Sequence, residues 1–199
     1  MEWKKQLPKG ITDFKEVIEN QFYYFDKSFL IEEIGKDGSA VTLFTRPRRF
    51  GKTLNMSMLQ YFWDVQKAEE NRKLFQGLYI ESSSYFSEQG KYPVIYLSLK
   101  DMKEKTWEEC SKKIKRIISN VYNQYEIIRD SLNQRDLKIF DEAWLETLES
   151  NNSNAIKELS EYVSKYYQKK VIILIDEYDT PIVSAYENGY YEEAIAFFR

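Results

Sequence analysis

At 199 residues, 43% of them hydrophobic, the chain has enough apolar material for an ordinary globular core. Basic and acidic residues number 29 and 32, a net charge of -3, so no global basic field would hold nucleic acid or an anionic membrane. Histidine is absent and cysteine occurs once, which excludes His-based triads, HExxH zinc sites and an internal disulfide, and leaves acid–base chemistry to carboxylates, lysines and tyrosines.

The lone Cys110 suits a reducing compartment, so the cytoplasm is the expected location. No run approaches the roughly 18 apolar residues of a membrane span, and no membrane partner is expected. In chain order, the first stretch reads as a turn and two short helices, because Ile11, Phe14, Ile18, Phe22 and then Phe29, Leu30, Ile34 recur at helical spacing. Lys36-Asp37-Gly38-Ser39 is a turn signal, and the β-branched, apolar run Ala40-Val41-Thr42-Leu43-Phe44 predicts a buried strand. From Lys52 the period changes: Leu54, Met58, Tyr61, Phe62 and Val65 share one helical face.

Residues 66–92 are polar, with Gly77, Ser82-Ser83-Ser84 and Gly90, and predict a short helix and then a loop. Val94-Ile95-Tyr96-Leu97-Ser98-Leu99 is a second strand, nearly continuous in apolar character as in a sheet covered on both faces. Residues 104–168 hold neither proline nor glycine and show helical spacing at Ile114, Ile117, Ile118, Val121 and at Leu137, Phe140, Trp144, Leu148, which predicts two to four helices. Asn151-Asn152-Ser153-Asn154 breaks that segment. Val171-Ile172-Ile173-Leu174-Ile175 is the third strand, and it runs into Asp176-Glu177-Tyr178-Asp179. Strands separated by helices predict a parallel, doubly covered α/β sheet whose ligands bind at the C-terminal strand ends.

Two motifs lie at such ends. Arg46-Pro47-Arg48-Arg49-Phe50-Gly51-Lys52-Thr53 fits the second half of a P-loop, G-x-x-x-x-G-K-[ST], between a strand and a helix. In that motif backbone N–H groups cradle phosphate oxygens, the lysine reaches the β/γ-phosphates and the hydroxyl binds Mg2+. Arg46 stands where the first glycine belongs, Pro47 stiffens the approach, and Arg46, Arg48 and Arg49 can add charge-assisted contacts. With Phe50 and Leu54, residues 46–54 form the candidate nucleotide-binding stretch. The competing reading is a basic surface turn with a chance Gly-Lys-Thr. The second motif, an apolar strand ending in Asp176-Glu177, matches the Walker B pattern: Asp176, with Thr53, is assigned to Mg2+, and Glu177, with Lys52, to catalysis, the glutamate polarising the attacking water. Its competing reading is a buried strand leading to a solvated acidic turn. Asp179 is left open between a role beside Asp176 and a cap of the next helix. A guanine-specific NKxD motif is absent, which favours ATP.

The strings LPKGITDFKEVIENQFYYFDKSFLIEEI, VTLFTRPRRFGKTLNMSML and VIILIDEYDTPI resemble the bacterial AAA-ATPase-like family, whose members often carry a C-terminal nuclease-like PD-(D/E)xK domain. The resemblance spans most of the chain. It implies that Arg46 is a feature of the family's own P-loop, and it implies a P-loop NTPase fold of AAA-like type, a parallel sheet flanked by helices. Residues 1–39 are then an N-terminal helical segment packed on the core, and residues 40–199 the P-loop core with a helical insert at about 104–168. ATP and Mg2+ are the implied cofactors. Family members continue through a sensor strand that lies between the P-loop and Walker B strands, so the chain is expected to be incomplete at its C-terminus and to be completed by self-association or a further segment. The expected function is Mg-ATP binding with hydrolysis; the alternative is a non-hydrolysing nucleotide-binding or protein-interaction module.

Other candidates are weaker. Asp13-Phe14-Lys15, Asp101-Met102-Lys103 and Asp136-Leu137-Lys138 each fit the short nuclease pattern, which arises cheaply in a chain that is 31% charged. Arg48 and Arg49 with Phe22-Tyr23-Tyr24-Phe25 offer a stacking patch for single strands, but core or docking aromatics are the preferred reading, and a nucleic-acid partner is not expected for this chain alone. Cys110 reads as an inert thiol.

Overall fold

The computed structural model describes residues 5–45, 47, 50–147 and 153–198. They fall into two compact units, Met1–Val94 and Ile95–Arg199. In the first, α1 (Phe14–Glu19) starts where the Asp13 carboxylate accepts the Glu16 N–H, and α2 (Phe29–Asp37) ends at Gly38, whose left-handed φ of 66° suits a residue without a Cβ. The third helix, α3 (Lys52–Trp63), buries Met58, Leu59, Phe62 and Trp63; of the face its sequence predicts, Met58 and Phe62 are buried, Leu54 and Tyr61 are half-buried, and Val65 lies past the helix end. Residues 66–92 hold more helix than their polar composition suggests: α4 (Ala68–Arg72), a 3-10 turn over Lys73–Phe75, α5 (Tyr79–Ser82) and a second 3-10 turn over Ser84–Glu88. Each is short and is held by tertiary contacts rather than by its own periodicity.

Aromatic rings make the centre of this unit. Phe62 lies edge-on to Phe75 at 5.3 Å between centroids, Phe75 stacks on Phe14 at 5.2 Å, and Tyr24 meets Phe14 edge-on at 5.4 Å. α1, the 24–28 segment and α4 with its 3-10 turn are thereby packed around α3. At the far end of α3, Tyr92 accepts the Val65 N–H and donates to the Trp63 carbonyl.

The second unit holds most of the strand β1 (Val94–Ser98), followed by α6 (Trp107–Gln124), α7 (Gln134–Trp144), α8 (Ala155–Tyr167), β2 (Ile172–Asp176), α9 (Thr180–Asn188) and α10 (Tyr191–Phe198). Thr106 caps α6 by accepting the Glu109 N–H, and Asn133 caps α7 through the Asp136 N–H. Along α6, Cys110, Ile114, Ile118, Val121 and Tyr122 are buried, and the Tyr122 hydroxyl donates to the Ala155 carbonyl at the start of α8. β1 and β2 pair side by side. The Leu99 N–H, just past the end of β1, donates to the Asp176 carbonyl at the end of β2, so the two C-terminal ends lie together and the pair is parallel.

The fold is therefore α/β but mostly helical, with a small parallel sheet of two strands among the described residues. The expected strand at 40–44 is a correction: residues 41–45 are in no strand, and Val41, Leu43 and Phe44 are exposed, Val41 at 85%. β-branched, apolar composition makes a strand only where a neighbour completes the ladder of N–H and C=O groups, and none does so here.

Asp64, at the C-terminal cap of α3, accepts the Gln66 N–H, and burial holds its carboxyl above the ordinary carboxylate range. The negative end of the helix disfavours the carboxylate further. A raised folded pKa favours the neutral form, so this contribution to stability is present below the unfolded-state value of about 3.9 and is lost as pH rises through the folded value. Asp64→Asn keeps the acceptor and stays neutral. Its urea midpoint should exceed that of the wild type at pH 7, with the gain shrinking toward acid pH; a lower midpoint at pH 7 contradicts this reading.

Candidate functional site

In the first unit the site is built on the start of α3. Gly51 occupies the N-cap with φ 75° and ψ 24°, a left-handed conformation in which a Cβ would be strained, and its carbonyl accepts the Asn55 N–H at 2.9 Å to close the first turn. No side chain caps α3 and its first turn contains no acidic residue. Among the described residues the amide donors there have no side-chain acceptor, an arrangement that favours anions.

Lys52 and Thr53 occupy the first two helical positions and are half-buried, as is Leu54. Pro47 and Phe50 are exposed. Arg46, Arg48 and Arg49 lie outside the described residues. The Asn55 Oδ1 is buried in the same turn without a partner.

α3 is anchored along its length. Ser57 Oγ donates to the Leu54 carbonyl and accepts the Phe14 N–H at 2.9 Å. Tyr61 donates to Asp13 Oδ2 at 2.8 Å, and Tyr24 donates to Met58 Sδ at 3.2 Å. Burial and the Asp13 carboxylate push the Tyr61 phenol well above its usual range, and burial pushes Tyr24 up to about 12, so both stay neutral donors at physiological pH. A side chain that the sequence reading does not name also reaches the turn: the position a Cβ would take on Gly51 lies 3.8 Å from Lys27 Nζ. In sequence, nothing in the spacing of Asp26-Lys27-Ser28 ties it to Gly51.

In the second unit Asp176 and Glu177 follow β2. Asp176 is only 3% exposed and its Oδ2 has no partner. A carboxylate buried with an orphaned oxygen is costly unless a cation or donor meets it. Among the described residues no group of three or more Cys, Asp and Glu side chains is arranged to hold a metal.

Glu177 adopts φ 53°, a left-handed conformation that is uncommon for a glutamate. Its carbonyl accepts the Thr180 N–H at 3.0 Å and its Oε2 accepts the Thr180 hydroxyl at 3.3 Å. Asp179 stands at the N-cap of α9, where its carbonyl accepts the Val183 N–H, but its side chain makes no cap hydrogen bond. Lys52 and Thr53 thus belong to the first unit and Asp176 and Glu177 to the second.

The family model of predicted AAA-ATPases, AAA-ATPase-like, matches residues 8–199. The chain belongs to this family. Membership in the AAA-ATPase-like family associates it with ATP and nucleotide binding in general. A relative from Azotobacter chroococcum mcd 1, an uncharacterized protein in the vnfD 5' region, is 26% identical over 181 residues. The alignment covers 90% of this chain and 30% of the relative, so the chain spans about a third of that protein's length. No solved structure matches the chain. No described helix is long and apolar enough to cross a membrane.

A left-handed non-glycine residue carries about 1–2 kcal/mol of backbone strain, most for a β-branched side chain. Glu177→Gly is therefore expected to unfold at a urea midpoint no lower than the wild type, and Glu177→Val to be about 1–2 kcal/mol less stable than Glu177→Gly. A glycine variant clearly less stable than the valine variant contradicts the strain.

Proposed function

We propose that this AAA-ATPase-like chain binds Mg-ATP through its P-loop and hydrolyses the γ-phosphate by in-line attack of water. The observation that carries the reading is the left-handed, uncapped start of α3 at Gly51-Lys52-Thr53, in a family of predicted ATPases. The α3 amides and residues 46–54 cradle the phosphates, with the Lys52 ammonium on the β/γ-oxygens and Arg46, Arg48 and Arg49 adding charge-assisted contacts. Thr53 and Asp176 are the residues that would hold Mg2+, whose charge would offset that developing on the phosphate oxygens. Glu177 orients the attacking water and accepts its proton.

Residues 1–39 serve in this reading as the helical segment that supports the phosphate loop, residues 40–199 as the P-loop core, and about 104–168 as a helical insert. The free thiol of Cys110 is buried, and a cytoplasmic location fits it.

A second reading, nucleotide binding without turnover, is favoured by the small sheet. Residues 41–45 are in no strand, and Ile173 and Ile175 of β2 remain more than two-fifths exposed. Self-association or a completing segment would supply the missing neighbours and with them catalysis.

Nucleotide-dependent melting of the 199-residue chain tests both readings. ATP with Mg2+ should raise the melting temperature, and Lys52→Ala should lower affinity about tenfold or more, about 1.4 kcal/mol. Asp176→Asn should stabilise the nucleotide-free protein while making the ATP shift the same with Mg2+ as with EDTA. Glu177→Gln should bind ATP normally and release no phosphate. Binding unchanged by Lys52→Ala overturns the P-loop assignment; phosphate release by the wild type equal to that of Glu177→Gln leaves the second reading.

A further inference from the structure

The ammonium of Lys27 sits beside the left-handed glycine of the phosphate loop, 3.8 Å from the position a Gly51 Cβ would take. The side chain comes from the segment before α2 and is half-buried. It has no ion-pair or hydrogen-bond partner for Nζ among the described residues. The adjacent carboxylate does not neutralise it: Asp26 Oδ1 accepts the Ser28 N–H at 2.8 Å and Oδ2 accepts the Tyr79 N–H at 2.7 Å.

The backbone that carries Lys27 is pinned from two directions. Ser28 is fully buried and its Oγ accepts the Ile80 N–H of α5 at 3.0 Å. The Lys27 N–H donates to the Tyr24 hydroxyl at 3.4 Å, and that hydroxyl donates to Met58 of α3. The side chain therefore leaves a fixed point on the body of α3 and ends at the turn that opens the same helix. A cation at a helix N-terminus is repelled by the unsatisfied amides, so holding it there unpaired is unfavourable in the absence of an anion. The same placement is favourable when a polyphosphate lies between Lys27, Lys52 and the amides, each ammonium contributing charge-assisted hydrogen bonds.

We propose that Lys27 is a second phosphate-contacting cation of this loop, reaching the polyphosphate chain from the side of Gly51 while Lys52 reaches it from the helix. The proposal rests on the reading of Gly51-Lys52-Thr53 as a phosphate site. It adds a residue outside the P-loop motif, and it gives the site a preference for pyrophosphate-containing ligands over monophosphates, because one phosphate group satisfied by the helix amides leaves the second ammonium with little to bind.

Calorimetric titration of the full chain with ATP, pyrophosphate and AMP tests it, using Lys27→Met, which keeps the apolar stem, Lys27→Arg, which keeps the charge, and Lys52→Ala as the control. Lys27→Met should weaken ATP and pyrophosphate about tenfold and AMP much less, with a nucleotide-free melting temperature equal to or above that of the wild type. The difference from wild type should shrink as salt rises, and Lys27→Arg should retain most of the affinity. Wild-type affinity in Lys27→Met alongside loss in Lys52→Ala overturns the role of Lys27 and leaves the phosphate site standing. A loss equal in Lys27→Met and Lys27→Arg and insensitive to salt assigns Lys27 to packing and also overturns it. Equal affinity in wild type and Lys52→Ala removes the phosphate site and the Lys27 role together.

Discussion

The left-handed turn at Gly51 is the constraint on which the rest of the site depends. It lets the chain enter α3 with no capping side chain, and so leaves the helix amides and the positive helix end open toward one place. An open helix start is useful only if it is held still. Phe14, Phe62, Phe75 and Tyr24 hold α3 by ring contacts, and Ser57 and Tyr61 tie it by hydrogen bonds to residues 13 and 14. The N-terminal segment thus holds the start of α3 in place, and Lys27 of the same segment reaches Gly51.

The second unit holds two unfavourable features of its own. Asp176 keeps a carboxylate oxygen buried without a partner, and Glu177 holds a backbone conformation that a glutamate disfavours. Both lie at the end of the most apolar strand of the chain. Backbone strain and unpaired polar atoms persist where the surroundings enforce them.

Much of this was legible in the sequence because it is local. The helix that begins at Lys52, the strands at 94–98 and 172–176 and the place of Gly51-Lys52-Thr53 at a helix start follow from periodicity and from the glycine itself. What was not legible is non-local. Val41, Leu43 and Phe44 have strand composition, but a strand also needs a ladder partner, which composition does not report. Residues 66–92 read as one short helix and then a loop, yet Leu74, Phe75 and Ile80 are buried there and hold several short helical turns in place. Lys27 is invisible as a site residue because only folding brings it to Gly51, and Asp179 occupies a cap position without using its side chain to cap.

The central claim is that the open start of α3 is a phosphate site, and amide NMR tests it most directly. On titration of the nitrogen-labelled chain with pyrophosphate, the account predicts that the largest amide shifts fall on Gly51, Lys52 and Thr53 and saturate together. Saturating shifts that cluster elsewhere while these three amides stay unmoved would contradict it.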